Sequence, residues 1–170
     1  MRYLDALRGP LSAFAALSAL LLVLLGAVVA PAEADSLDAT GTGTAVGVPT
    51  ADPNIYTVTV IAEGQSDLLG KFRVRAHHFT DVSTNTFLDG VITFEGAHGR
   101  LFGTYEGSEL PTGPDTLTIA GTVTFLGGTG RFAGATGEAV FSGALQIIGF
   151  SPGGLVRETL TLVLHGTLHF

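Results

Sequence analysis

The chain has 170 residues, 46% of them hydrophobic, with 24 glycines, no cysteine, no tryptophan and a formal net charge of -7. Without a thiol there is no disulfide framework, no lipobox, no thiolate zinc site and no cysteine nucleophile. The acidic balance repels nucleic acid and anionic lipid, so neither is expected as a partner.

In chain order, the first segment reads as a secretory leader. Arg2 and Arg8 precede an almost wholly apolar run from Leu11 to Ala30, and Ala32-Glu33-Ala34 has the small-x-small form of a cleavage site. Cleavage after Ala34 leaves residues 35-170, a length at which one domain buries about two-thirds of its unfolded surface. An uncleaved signal anchor is the alternative reading of the same run. Either way the remainder is expected outside the cytoplasm, secreted or extracytoplasmic, because positive charge is held on the inner face. After cleavage no membrane association is expected.

From Asp35 onward small or apolar residues alternate with threonine in runs of about ten, each ended by glycine, proline, asparagine or aspartate. Eight runs lie near 39-48, 55-64, 70-79, 86-96, 99-108, 116-126, 137-148 and 156-169, and a period of two is that of a half-buried strand. The one helical possibility is a single turn over Arg131-Ala135, since glycine crowds both sides of it. Short connections favour antiparallel neighbours, and many evenly spaced strands favour a closed barrel or a sandwich. The fold class expected is all-β, an eight-stranded antiparallel β-barrel, because closure leaves no exposed edge.

The phase of each run assigns its faces. The inward set contains Tyr56, Val58, Val60 and Ala62; Phe72, Val74, Ala76 and His78; Leu88, Gly90, Ile92 and Phe94; Leu101, Gly103 and Tyr105; Leu117, Ile119, Gly121, Val123 and Phe125; Ala139, Phe141, Gly143 and Leu145; and Leu160, Leu162, Leu164 and Leu168. The opposite face carries Lys71, Arg73, Arg75, His77, Glu95, Arg100 and Glu106, whose charges would be costly to bury unpaired. Inward glycines at 41, 43, 90, 103, 121 and 143 are expected to serve tight curvature or to make room for a ligand.

Three motifs carry a family resemblance. They are Ala39-Thr40-Gly41-Thr42-Gly43-Thr44, then Leu69-Gly70-Lys71-Phe72, and Gly127-Gly128-Thr129-Gly130-Arg131-Phe132-Ala133-Gly134-Ala135-Thr136-Gly137. Together they resemble the bacterial exported members of the allene oxide cyclase barrel-like family, itself similar to plant allene oxide cyclase and dirigent proteins. The resemblance implies an eight-stranded barrel, a trimer by analogy with plant members, and a mostly apolar cavity that folds a flexible hydrophobic substrate for cyclisation. The plant site uses an inward acid, and the inward set here supplies only Glu158. Fold alone does not establish chemistry.

Other chemistries find little support in the residues. Gly128-Thr129-Gly130-Arg131-Phe132-Ala133 formally matches a dinucleotide fingerprint, but no helix follows to aim its N-terminus at a pyrophosphate. His77 and His78 point to opposite faces of one strand, and His165 and His169 lie about 13 Å apart along another. No metal site and no cofactor is expected. No glycine-x-serine-x-glycine elbow occurs, and glycoside hydrolysis needs two inward acids where the face assignment yields one.

The inward polar groups are Tyr56, His78, Tyr105 and Glu158. Set among Phe72, Phe94, Phe125 and Phe141, they form the expected ligand-binding constellation, a few polar contacts in an apolar wall. The ligand-binding set is therefore Tyr56, Phe72, His78, Phe94, Tyr105, Phe125 and Phe141, and any catalysis would fall to His78, Tyr105 or Glu158. The sequence points to an exported barrel that binds a small apolar molecule or serves a structural role, with a cyclase or isomerase as the alternative. A third reading, a surface interaction module, has only Phe102, Val140 and Val163 as outward apolar seeds.

Overall fold

The computed structural model describes residues 34-170, and the leader expected over residues 1-34 lies outside them except for Ala34. Eight strands follow one another: β1 (Ala34–Pro49), β2 (Ile55–Ser66), β3 (Gly70–Asp81), β4 (Thr86–Gly96), β5 (Gly99–Pro111), β6 (Thr116–Gly130), β7 (Thr136–Phe150) and β8 (Val156–His169). Each pairs antiparallel with its neighbour in sequence, and β1 pairs with β8 from Ala34↔His169 to Gly47↔Val156. The result is a closed barrel with no free sheet edge, and no helix occurs among the described residues. At Arg131–Ala135, the one place where the sequence allows a helical turn, the chain makes a run of tight turns, with Phe132, Ala133 and Ala135 each donating to the carbonyl three residues before it.

Alternation sorts the side chains as the phases imply along most strands. Val58, Phe72, Val74, Ala76, Phe94, Ile119, Val123, Leu145 and Leu160 are buried inside, whereas Lys71, Arg73 and Arg75 are exposed on the outer face. The assignment fails in the first half of β4. Leu88, expected inside, is 49% exposed, and Phe87 is buried in its place. The physical reason is a β-bulge: Phe87 pairs with Gly107 but Gly90 pairs with Tyr105, so β4 carries one extra residue and its faces exchange. Asp89 sits in this bulge with φ 53°, a conformation an aspartate tolerates better than a bulkier residue. Similar single-residue slips follow Phe125 and Ile147, and Leu126 and Ile148, the extra residues, lie on the outer face where alternation already places them.

The two ends of the barrel differ. At the end where β2 turns into β3, β4 into β5 and β6 into β7, the interior is solid: Leu37, Leu69, Leu101, Phe125, Phe132 and Leu168 are essentially inaccessible. Phe132 and Ala135 come from the glycine-rich connection between β6 and β7, which folds back to plug this end. Gly128 permits the fold-back, since a Cβ there would lie 2.6 Å from the Cβ of Phe132. The connection is tied down by Arg131 N–H donating to the His98 carbonyl at 2.9 Å. Removing a fully buried phenylalanine forfeits its transfer energy and leaves a void. Phe132→Ala is therefore expected to cost about 3–5 kcal/mol, measured as a fall in the denaturant midpoint with the slope unchanged.

Candidate functional site

The other half of the barrel is hollow. A cavity of about 320 Å³ occupies the lumen and reaches the opposite end, where Val82, Phe150 and Val156 stand at its mouth. Its wall is mainly aliphatic and aromatic, drawn from β1–β8, and among the described residues no lysine or arginine lines it. Tyr56, Phe72, His78, Phe94, Tyr105, Phe141 and Glu158 all face this cavity. Phe125, placed in the ligand-binding set by the sequence, does not. It is 1% exposed and lies below the cavity floor, packed against Phe94 with ring centroids 5.8 Å apart.

Glycines position the aromatic wall. A Cβ at Gly90 would lie 2.6 Å from Cδ1 of Tyr105, and one at Gly121 would lie 2.6 Å from Cζ of Phe141. Each glycine thus accepts the ring of the adjacent strand across its own backbone, which is why inward positions on β4 and β6 lack side chains. The rings then form one network: His78 lies 5.0 Å from Phe87, Tyr105 is 5.9 Å from Phe87, and Phe87 stacks on Phe141 at 6.0 Å. Phe87 stands at the centre of this network and was missed by strict alternation. The local signal for it is Asp89-Gly90 inside a strand-like run, a pair that marks a break in phase.

The polar groups form two sets. Deep in the lumen, His78 Nδ1 is 2.5 Å from the Tyr105 hydroxyl and His78 Nε2 is 3.1 Å from Thr80 Oγ1. All three residues are buried. Loss of hydration, with a smaller contribution from the neighbouring His77, lowers the His78 pKa from 6.5 to about 4, and burial pushes the Tyr105 phenol up. Both are neutral at ordinary pH. Thr80 was not among the residues read from the sequence, since the third run was ended at Phe79.

Nearer the mouth stand two carboxyls, Glu109 on β5 and Glu158 on β8, both lining the cavity. Burial, and then the like charge of Glu158, push the Glu109 pKa up from 4.5 to about 7; burial raises Glu158 as well. The sequence assigned one inward acid, Glu158, and the structure corrects this to two. Glu109 was missed because the fifth run was ended at residue 108, whereas β5 continues to Pro111 and the Glu109 N–H donates to the Asn85 carbonyl at 3.0 Å. Among the described residues no three histidine, aspartate or glutamate side chains group closely enough to hold a metal ion. His165 instead pairs with Asp38 on the outer face at 2.6 Å.

Chemically, the lumen offers a dry wall, one neutral histidine–hydroxyl chain, and a carboxyl pair able to hold or release a proton near neutrality. Comparison with models of known protein families, with curated proteins and with solved structures finds no match.

The opposed shifts of His78 and Glu109 have a measurable consequence. A histidine whose folded pKa is depressed stabilises the fold above 6.5 and loses that contribution as pH falls to 4. A carboxyl whose folded pKa is raised stabilises below 4.5 and loses it as pH rises to 7. Between 4.5 and 6.5 the histidine slope opposes the carboxyl slope, to which the raised Glu158 also contributes. Glu109→Gln should remove its share of the carboxyl slope, with stability relative to the parent rising by up to about 3 kcal/mol from pH 4.5 to 7. His78→Gln should do the reverse, losing stability relative to the parent by a similar amount between pH 4 and 6.5. Chemical denaturation across this pH range checks both signs.

Proposed function

We propose that this protein is a binding barrel that encloses a small, mostly apolar molecule in its lumen, entered from the end framed by Val82, Phe150 and Val156. The observation that carries the reading is the cavity of about 320 Å³, which lies within the range of ligand sites and has their composition, apolar walls with a few placed polar groups. An apolar void forgoes about 24 cal/mol for each Å³ left unfilled. An open-mouthed lumen forgoes less than a sealed void, but it still lacks the packing contacts that a filled interior makes. A barrel with a purely structural role would gain by filling its interior with larger side chains at Ala39, Ala45, Ala62 and Ala76, all of which border the cavity.

The leader-like N-terminus supports export, and the resemblance to the allene oxide cyclase barrel-like family supports both a hydrophobic occupant and a trimeric assembly. A second reading, a cyclase or isomerase that fixes a flexible substrate in a reactive conformer, is favoured by one observation. Glu109, with its pKa near 7, and neutral His78 place a proton donor and a proton acceptor on the same lumen.

Uptake of the neutral fluorophore N-phenylnaphthylamine tests the binding reading. One molecule per barrel is expected, its emission rising and shifting to shorter wavelength as it leaves water, and Ala76→Phe should weaken uptake at least about tenfold by filling the lumen while leaving the strand signature in circular dichroism. Equal uptake by the filled variant, or none by the parent, would remove the cavity from consideration. Native mass spectrometry of protein purified from its producing cells would then identify a natural occupant and count subunits.

A further inference from the structure

The hydrogen-bond chain inside the lumen has one hydrogen more than it uses. Tyr105, His78 and Thr80 are linked by two bonds, and each of the three is more than nine-tenths buried and lines the cavity. With the imidazole neutral and the phenol protonated, the chain carries three donor hydrogens, two on hydroxyls and one on the ring. Two are consumed internally. Whichever way the bonds run, one hydroxyl hydrogen at an end of the chain is left without an acceptor among the described residues.

Acidity decides which end. A phenol is a stronger donor than an aliphatic alcohol, and an imidazole nitrogen is the strongest acceptor of the set. Tyr105 O–H therefore donates to His78 Nδ1, and Nε2–H donates to Thr80 Oγ1. The surplus hydrogen falls on Thr80, the member nearest the mouth, two residues before Val82 on the cavity rim.

We propose that the Thr80 hydroxyl is the polar docking point of the lumen, donating a hydrogen bond to a neutral acceptor oxygen, a carbonyl or an ether, on an otherwise apolar ligand. This rests on the reading of the lumen as a binding cavity. An anionic head would enter a wall that holds Glu109 and Glu158, a histidine kept neutral by burial and, among the described residues, no lysine or arginine. A protonated amine brings only donors and leaves the surplus hydrogen unmatched. A plain hydrocarbon leaves it unmatched too, at the cost that any buried unpaired donor carries.

The test compares cyclooctanone with cyclooctane as displacers of N-phenylnaphthylamine. The parent protein should prefer the ketone by about five- to tenfold, the effect of one net hydrogen bond. Thr80→Ser should retain that preference, since it keeps a hydroxyl at position 80; Thr80→Val, nearly equal in shape, should reduce it, because the hydrogen then left over sits on His78 Nε2, deeper in the lumen. In unmodified protein, the carbonyl stretch of bound cyclooctanone should move to the lower frequency of a hydrogen-bonded ketone. An undiminished preference in Thr80→Val, or a bound ketone with a hydrocarbon-like stretch, overturns the assignment. The stretch decides the matter whether or not Thr80→Val folds. If cyclooctane displaces the fluorophore and the ketone does no better, the lumen still binds and only the role of Thr80 falls. If the parent takes up no fluorophore, both readings fall together.

Discussion

The pairing of β1 with β8 is the contact on which the rest depends. It joins the first and last strands of the domain over their whole length, Ala34↔His169 to Gly47↔Val156, and converts an open sheet, with two rows of unpaired backbone groups, into a cylinder with none. Closure also divides the chain into an inside and an outside that no residue can exchange without shifting register. Once the ring is shut, the inward positions must be apolar, absent or hydrogen-bonded to one another. The sequence meets these conditions with aliphatic residues in the middle, glycine where a neighbouring ring crosses, and hydrogen bonds that link His78 to Tyr105 and Thr80, while Glu109 and Glu158 stand nearer the mouth.

An eight-stranded ring is just wide enough for side chains to fill, so whether it is solid or hollow depends on residue size. At one end leucine and phenylalanine meet across the axis, and the glycine-rich β6–β7 connection brings Phe132 in as a plug. Along the rest of the lumen Ala39, Ala45, Ala62, Ala76 and Gly47 leave space in the wall, and the Tyr105 and Phe141 rings lie against Gly90 and Gly121. The hollow is thus built by small residues opposite aromatic ones. The bulge at Asp89 matters here because it swings Phe87 into contact with His78, Tyr105 and Phe141, joining four strands' worth of rings into one rigid wall.

The same enclosure governs charge. Surface pairs such as Arg73–Glu63 and Arg100–Glu95 are well hydrated and contribute little to stability. Inside, dehydration drives His78, Glu109 and Glu158 toward their neutral forms, the histidine by losing its proton and the glutamates by keeping theirs. A lumen tuned in this way favours uncharged molecules. It also leaves Glu109 poised to change charge near neutral pH, at the threshold of the cavity.

Much of this was legible in the order of the residues. Alternation of period two, glycine and proline punctuation and short connections determine the eight strands, the antiparallel sense and the outward Lys71, Arg73 and Arg75, because these are local properties of a pleated chain. The same phase places Tyr56, His78, Tyr105 and Phe141 inside. What only the tertiary structure decided concerns position along the axis and breaks in the phase. Phe125 is inward yet packs below the cavity; Glu109 and Thr80 join the wall because β5 and β3 run past the ends that turn signals suggest; Phe87 replaces Leu88 because one extra residue in β4 exchanges its faces. Strand phase tells which way a side chain points, whereas height in the barrel and the place of a bulge are set by pairing with strands distant in sequence, and that pairing is fixed only when the ring closes.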